Sequence, residues 1–369
     1  MKKYDLLVVG NGFDLHLGYK TKYTHFCDYL INNQPIRNKL LYFFYHAYDY
    51  GFFENEEWTS FEQLLCRYIE FLNHIFTSSD TYFDYETIDL GISQVFEPFI
   101  VMNNINKLDV NYQHILDIGN PLDGFADFYW FDKDNKRHPL DTRISSYPNI
   151  GNKLMVKIRR RFRIAPSPED TKKCLVNYLK ELLNDSEQQL LHYIKIETSK
   201  QPSKSSFLET HVEKVDKLVS FNYSHTAEFM YSLTDLDVAH VHGDIDSQIV
   251  LGIENQMFEG QILTETTPLF SPFFKKTRRF LNRCNEHFKD KILDNINSST
   301  TIAIFGHSLD KSDKSIFVQL FKSSFKCCDI YYFGKEADYR SKLVELVGPD
   351  VVQDLNNEGK VNFIPIKLS

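Results

Sequence analysis

Apolar residues follow two different patterns along this chain, and each pattern predicts a different kind of element. Short runs rich in Val, Ile, Leu and Phe, bounded by Gly, Asn, Asp or Ser, predict strands buried in a parallel sheet. They are Leu6–Val9, Lys217–Phe221, Val238–His242, Ile249–Gly252, Thr301–Phe305, Asp329–Phe333 and Val361–Ile366. Helix-length segments separate most of these runs, so the pattern predicts an α/β fold in which helices flank the sheet.

The middle of the chain instead shows apolar residues at the spacing of three and four that is typical of amphipathic helices. The predicted helices are Ile36–Tyr50, Trp58–Phe76, Asp89–Ile105 and one that begins at Ser167. Residues 117–152 are rich in Gly, Pro, Asp and Asn and predict a long irregular connection. We therefore predict a Rossmann-like core formed by residues 1–34 and 206–369, with residues 35–205 as a large, mostly helical insertion.

Composition narrows the class of protein. The net charge of −8 gives no general attraction to nucleic acid or to an anionic membrane. No apolar run approaches the ~20 residues that cross a bilayer, and the N-terminus does not read as a signal peptide. The six cysteines contain no Cys-x-x-Cys pair, which favours reduced structural thiols. These features predict a cytoplasmic protein without a membrane partner.

One segment, Lys153–Arg163, concentrates positive charge. It is compatible with a contact to nucleic acid or to the phosphates of a nucleotide. A solvated face that pairs with acidic neighbours is the favoured explanation, because charge runs are usually of that kind.

The first predicted strand ends in the turn Gly10-Asn11-Gly12. Glycine lets the backbone bend tightly and approach another molecule, and a strand that enters such a turn before a helix is a common phosphate-binding arrangement. A dinucleotide fingerprint would have a third glycine where Leu15 stands. A nucleotide site and an ordinary turn both fit these residues.

Unusual polar residues follow three further predicted strands. They are Asn222 with Ser224, then His240 with His242 and Asp244, then Gly306, His307 and Ser308 with Asp310, Ser312 and Asp313. Ligands bind at the carboxyl ends of parallel strands, so we expect these positions and the glycine turn to converge. Caps and turns are the alternative role for Asn222, His307 and Ser308. The two histidines of the second group alternate along a strand, but no spacing fixes a third metal ligand, so we predict no metal site.

Together these motifs resemble those of the AbiH family of bacterial abortive-infection proteins. The resemblance is carried by Val9-Gly-Asn-Gly-Phe-Asp-Leu15, Phe221-Asn-Tyr-Ser-His-Thr226, His240-Val-His-Gly243 and Ile304-Phe-Gly-His-Ser-Leu309. It covers both ends of the chain, whereas the insertion carries no matching motif. It implies an antiviral defence protein that responds to a phage-derived trigger.

The order of the motifs is also similar to that of sirtuin-like enzymes, whose corresponding elements surround NAD. The resemblance implies that Asn222 holds the ribose side and a water, and that His242 is the general base. It further implies nucleotide contacts from Gly10, Asn11, Gly12, Gly306, His307 and Ser308. Asp14 would stabilise positive charge or orient the ribose, or else cap the following helix. The loop lacks the Ala-Gly-x-Ser run of sirtuins and the chain lacks zinc-ribbon cysteines, which leaves the nucleotide open and disfavours protein deacylation.

We therefore expect an abortive-infection protein that hydrolyses NAD or a related nucleotide, taken as substrate or ligand, with no other cofactor. One alternative is a nuclease, in which His240, His242 and Asp244 hold a metal or act on RNA and Lys153–Arg163 holds the strand. Another is a non-catalytic nucleotide sensor that signals as a homo-oligomer through its helical block. Loss of activity in both Asn222→Ala and His242→Ala would count against the sensor, and a metal requirement with salt-sensitive RNA binding would favour the nuclease.

Overall fold

The computed structural model describes residues 2–33, 38–49, 168–201, 211–253 and 267–366, parts of 61–73, and five short strands between residues 82 and 158. The helices of these parts are α1 (Asn11–His16), α2 (Tyr23–Asn33), α3 (Lys39–Asp49), α4 (Pro168–Thr198), α5 (Thr226–Tyr231), α6 (Thr267–Phe270), α7 (Lys275–Leu281), α8 (Cys284–Lys291), α9 (Lys314–Lys322), α10 (Glu336–Val347) and α11 (Pro349–Asn357). The strands are β1 (Lys2–Val9), β2 (Tyr82–Tyr85), β3 (Ile100–Val101), β4 (Ala126–Phe131), β5 (Arg137–Pro139), β6 (Lys153–Ile158), β7 (Val212–Ser220), β8 (Val238–His240), β9 (Thr301–Phe305), β10 (Cys327–Tyr332) and β11 (Val361–Pro365).

A six-stranded parallel sheet in the order β11-β10-β9-β1-β7-β8 forms the centre of the protein. Its first strand comes from the N-terminus and the other strands from the C-terminal part. The predicted α/β fold with a parallel sheet flanked by helices is therefore confirmed. Numbered along the chain within this sheet alone, the strands run 3-2-1-4-5-6, so the direction in which the sheet grows reverses between β1 and β9.

Both faces of the sheet are covered, which explains why the second half of β1, Leu6–Val9, reads as an unbroken apolar run. Leu6 and Val8 pack on one face in a cluster that includes Phe317 of α9. Leu7 and Val9 point to the other face, in a cluster that includes Phe13 of α1. Successive strand residues point to opposite faces, and both sets are buried, so no polar alternation remains.

The insertion contains a five-stranded sheet that we did not predict. Its order is β2-β6-β4-β5, with β3 paired to β6. The expected helix over Asp89–Ile105 and the expected irregular connection over 117–152 are wrong where β3, β4 and β5 occur. These strands are only two to six residues long and are flanked by turn-forming residues. The flanking residues dominate the local pattern, so the aromatic residues of segments such as β4, which favour strands, were not recognised. The insertion is thus a mixture of helix and sheet.

The basic segment Lys153–Arg163 begins in this second sheet. Its first six residues form β6, which lies between β2 and β4. Residues 159–163 lie outside the described residues.

The predicted strand Ile249–Gly252 is also wrong. The amide of Val250 donates to the carbonyl of His242 at 2.7 Å, and that of Leu251 donates to Glu187 Oε1 at 2.9 Å. These donors are satisfied by a loop and by a side chain of α4, not by a neighbouring strand. The segment therefore fastens the long helix α4 to the core.

The helices of the insertion pack beside the carboxyl ends of the central sheet. One apolar cluster joins α2, α3, helical residues within 61–69 and α4 to Phe270, Phe273 and Phe274. Of the predicted helix Trp58–Phe76, residues 61–62, 64–66, 68–69 and 73 are described and helical. This packing brings Glu62 and Ile194 to the edge of the sheet where the strand ends meet. No helix within the described ranges is long and apolar enough to cross a membrane.

Candidate functional site

A cavity of about 820 Å³ lies beside the carboxyl ends of β1, β7 and β9 and the segment after β8. Every residue predicted to bind a nucleotide or to act in catalysis lines it: Gly10, Asn11, Gly12, Asp14, Asn222, His242, Gly306, His307 and Ser308. Their convergence follows from the parallel sheet, in which all carboxyl ends meet at one edge. His240 and Asp244 are not among the lining residues.

The glycines of this cavity bring two loops into contact. Gly10 N–H donates to the carbonyl of Phe305 at 3.1 Å, and Gly12 N–H donates to the carbonyl of Gly306 at 2.7 Å. Gly306 has a φ of +68°, and a Cβ there would lie 2.2 Å from the backbone nitrogen of Phe13. The two amides that a phosphate-binding turn would offer to a ligand are therefore used within the protein.

Asp14 is buried beneath the loop that follows β7. Its Oδ2 accepts from the hydroxyl of Ser224 at 2.6 Å, and its Oδ1 accepts from the hydroxyl of Thr226. Burial raises the pKa of Asp14 to about 6, even though these hydroxyls act in the opposite direction. The carboxylate thus ties α1 to the start of α5 instead of capping a helix.

The side-chain amides of Asn11 and Asn222 differ in how many hydrogen bonds they make within the protein. Asn11 donates from Nδ2 to the carbonyl of Thr21 at 3.1 Å, which holds the glycine turn against the next segment. Nδ2 of Asn222 is buried and has no hydrogen bond of good geometry among the described residues. It is still near enough to lower the pKa of Asp14. Asn222 therefore has donor capacity to spare at the cavity.

A buried carboxylate, Asp313, is the centre of the charged part of the site. Its Oδ1 accepts from Nε2 of His242 at 2.8 Å and from a terminal nitrogen of Arg279 at 3.0 Å. Lys275 Nζ lies 3.6 Å from the same oxygen, and Nε2 of His307 lies 3.3 Å from Oδ2. Burial alone would raise the pKa of Asp313, but Lys275 and its other partners hold it well below the usual range.

The two cations of this network are themselves anchored. Lys275 Nζ pairs with Oε1 of Glu62 at 2.8 Å. Arg279 donates from Nε to the carbonyl of Val241 at 3.2 Å. Burial raises the pKa of Glu62 to about 7, with Lys275 opposing that shift. The insertion thus supplies one carboxylate of the site.

The hydrogen bond to Asp313 fixes the tautomer of His242. An ionised carboxylate can only accept, so Nε2 of His242 carries the hydrogen and Nδ1 carries the lone pair. Nδ1 is buried and has no hydrogen-bond partner among the described residues. Burial lowers the pKa of His242 to about 3, with Lys275 and Arg279 acting in the same direction against Asp313. The ring is a neutral imidazole with an unused acceptor.

His307 has a different arrangement. Its Nδ1 accepts from the amide of Leu309 at 2.9 Å, so its Nε2 carries the hydrogen that faces Asp313. It therefore stabilises its own turn and the carboxylate, in line with the cap-like alternative.

Most of the chain matches the sequence pattern of one protein family. Residues 6–123 and 150–333 match the family described as "Bacteriophage abortive infection AbiH". The chain belongs to the AbiH family. Comparison with curated proteins and comparison with solved structures each gave no significant match. Membership connects this AbiH protein with abortive-infection defence against bacteriophage, and leaves its chemistry to be argued from the site.

Three residues of this AbiH protein's site, Glu62, Lys275 and Arg279, were not predicted from the sequence. Lys275 and Arg279 lie four residues apart on α7 within the run Lys-Lys-Thr-Arg-Arg, which reads as a solvated basic face. Their burial is the distinguishing feature, and it depends on contacts with segments more than 30 residues away. The run of four cations in five residues was the one available signal.

Proposed function

We propose that this AbiH protein hydrolyses NAD, or a related nucleotide, in the cavity, as the effector step of abortive infection. The defence role follows from the family. The nucleotide is supported by the strand order 3-2-1-4-5-6, which is that of dinucleotide-binding folds, and by the position of the cavity where the order reverses. Its volume of about 820 Å³ is within the range of small-molecule sites.

The observation that carries the proposal is the pairing of His242 with Asp313. A carboxylate that fixes one imidazole nitrogen and leaves the other as a free acceptor is the arrangement of a positioned general base. The nitrogen available for this role is Nδ1, which has no other partner among the residues described. The ring is neutral in the resting protein and accepts a hydrogen bond from water; because its lowered pKa makes it a weak base, it takes the proton only as the water becomes acidic by bonding to the cationic ribose.

The reaction that fits these groups is attack of water on C1′ of the ribose. The C1′–N bond to nicotinamide breaks, and its electron pair neutralises the positive charge of the nicotinamide ring. The water proton passes to Nδ1 of His242, which gives ADP-ribose, nicotinamide and a proton. Asn222, whose Nδ2 has unused donor capacity, orients the ribose or the attacking water.

Aromatic rings at the cavity suit the heterocycles of a dinucleotide. Phe333 and His16 both line the cavity, with ring centroids 5.9 Å apart, and both are partly exposed. A flat base can stack on such a surface. Asp14 acts in this scheme by holding Ser224 and Thr226, and thereby the loop that carries Asn222.

The test is made in infected cells, because the trigger is then present. Cells that carry the wild-type chain, His242→Ala, Asn222→Ala or the control His287→Ala are infected, and NAD is followed over time. His287 is exposed on α8, outside the cavity lining. We expect wild type and control to deplete NAD, and the two site variants to lose roughly 10²-fold or more in rate. Protection against phage with unchanged NAD would refute NAD as the substrate, and depletion at the wild-type rate by His242→Ala would refute the assignment of the base.

A further inference from the structure

Outside the cavity lining, three residues bring two imidazoles and a carboxylate together. His225 immediately precedes α5, Glu228 lies in its first turn, and His240 is the last residue of β8. Nδ1 of His225 lies 2.9 Å, and Nε2 of His240 lies 2.5 Å, from the same atom, Oε1 of Glu228. Within the described parts of the chain this is the one group of three or more such residues whose ligand atoms, one from each, all lie within 4.8 Å of one another.

The outer nitrogens of both rings already have acceptors. Nδ1 of His240 lies 3.2 Å from the carbonyl of Asn222, and Nε2 of His225 lies 3.2 Å from Oδ2 of Asp246. A carbonyl and a carboxylate only accept, so both nitrogens of each ring face an acceptor, and a neutral ring has a hydrogen for only one of them. When that hydrogen is on the outer nitrogen, the inner nitrogen directs a lone pair at the carboxylate of Glu228, where acceptor faces acceptor.

A cation between these groups removes the conflict. Metal-ligating histidines in proteins donate their second N–H to a carboxylate or a backbone carbonyl, which is the pattern of both rings here. A proton on each ring is the competing explanation, and it would place two imidazolium ions against one carboxylate oxygen.

The second carboxylate oxygen gives independent support. Oε2 of Glu228 is buried and has no hydrogen-bond partner among the described residues, and Glu228 as a whole is 9% exposed. A buried carboxylate oxygen without a donor is costly to leave unsatisfied. It is a ready ligand atom beside the two ring nitrogens.

We infer that His225, Glu228 and His240 bind one zinc ion. Two imidazoles and a carboxylate are a zinc donor set, and bonds of ~2.0–2.1 Å place tetrahedral ligands roughly 3.3 Å apart. In the cluster the ring nitrogens lie 2.5 and 2.9 Å from Oε1 of Glu228, and all three ligand atoms lie within 4.8 Å of one another. The side chains of His225, Glu228 and His240 are 20%, 11% and 10% exposed, so a water molecule can complete the coordination.

The ion would fasten the start of α5 to the end of β8. The loop between β7 and α5 carries Asn222 and Ser224, and Thr226 begins α5, so zinc bound at His225 would fix the loop that forms one wall of the cavity. The role is one of positioning, because none of the three ligands lines the cavity. Zinc binding is measured without any nucleotide, so its failure and the failure of NAD hydrolysis are separate results.

The test uses the full chain without a polyhistidine tag, stripped with a chelator and dialysed. Zinc is added in competition with a chromophoric chelator, and cobalt(II) replaces it for the visible spectrum. We expect one zinc per wild-type chain, a thermal midpoint that rises with zinc concentration, and a tetrahedral cobalt spectrum. Glu228→Gln and His240→Gln should each weaken zinc binding more than tenfold. Asp246→Asn, which removes the carboxylate that faces Nε2 of His225, should weaken it about tenfold.

The exposed histidine variant His287→Ala should bind zinc like wild type. Circular dichroism in excess chelator shows whether each variant is folded, so lost binding by a folded Glu228→Gln supports the site. Wild type that binds no zinc, or Glu228→Gln and His240→Gln that both bind it with wild-type affinity, would overturn the inference. A six-coordinate cobalt spectrum unchanged in these variants would also overturn it.

Discussion

Replacing Asp313 by Asn keeps the size of the side chain and removes the charge on which the buried network converges. Oδ1 of Asp313 faces His242, Arg279 and Lys275, and Oδ2 faces Nε2 of His307. An amide placed here can keep one oxygen toward the first group. Its NH₂ must then meet the N–H of His307, so a donor faces a donor.

The size of the effect follows from the charges. Two buried cations, Lys275 and Arg279, are balanced by the carboxylates of Asp313 and Glu62. Removing one partner of a buried ion pair typically destabilises a protein by about 3–5 kcal/mol, because a charge is left unpaired. At about 2–4 °C per kcal/mol for a domain of 150–250 residues, Asp313→Asn should lower the thermal midpoint by roughly 10 °C.

Thermal unfolding followed by circular dichroism measures this loss, with Glu345→Gln as the matched control. Glu345 pairs with Lys311 at 3.2 Å, and the two side chains are 50% and 62% exposed. An exposed pair contributes at most about 1 kcal/mol, so the control should unfold within a few degrees of wild type. In infected cells, the rate of NAD loss should fall about 10²-fold or more in Asp313→Asn because His242 loses its orienting carboxylate.

A second variant separates unpaired charge from general disruption. Asp313→Asn leaves two buried cations, Lys275 and Arg279, with the single carboxylate of Glu62, and adding Lys275→Met restores one cation to one carboxylate. The double variant should therefore be more stable than Asp313→Asn alone. A double variant that is less stable than the single one, or a single variant that unfolds with wild type, would refute the reasoning.

Two further perturbations test other parts of the site. Burial raises the pKa of Asp14 from its usual 3.8 to about 6, so ionising it in the folded protein costs about 3 kcal/mol that is absent below pH 4 and complete above pH 6. The stability of Asp14→Asn relative to wild type should therefore improve between pH 4 and pH 7 in thermal unfolding, and parallel curves for the two proteins would contradict this. Gly306→Ala should lose at least about 2 kcal/mol, since its Cβ would lie 2.2 Å from Phe13 N at a φ of +68°. Gly359→Ala, with φ +63° and nothing within 4 Å of its Cβ, should lose only about 1 kcal/mol, and equal losses in chemical denaturation would exclude a role for loop contact.

The site residues next to strand ends could be predicted because strand ends are local features. Asn222 and Gly306 stand immediately after apolar runs, and a parallel sheet places those ends together whatever the intervening segments do. Local pattern was less reliable for β4 and β5. There short strands between turn-forming residues have little periodicity, and they are stabilised by the pairing of β4 with β6 and of β5 with β4.

The cations that pair with Asp313, and Glu62 beside them, could not be predicted, because they come from distant segments. Lys275 and Arg279 lie on α7, and Glu62 lies in the insertion more than 200 residues away. In the sequence alone, nothing distinguishes these three residues from other charged residues. Only their burial makes them a network, and burial is a property of the packed chain.

The sequence by itself determined the parallel sheet, the polar residues at its carboxyl ends and membership of the AbiH family, since each of these is written in short contiguous segments. The tertiary structure decided which nitrogen of His242 is available, where the glycine amides are used, and that His225, Glu228 and His240 meet. All three of these features depend on hydrogen-bond partners from other segments. Those partners are selected by long-range packing, which no local pattern of residues encodes.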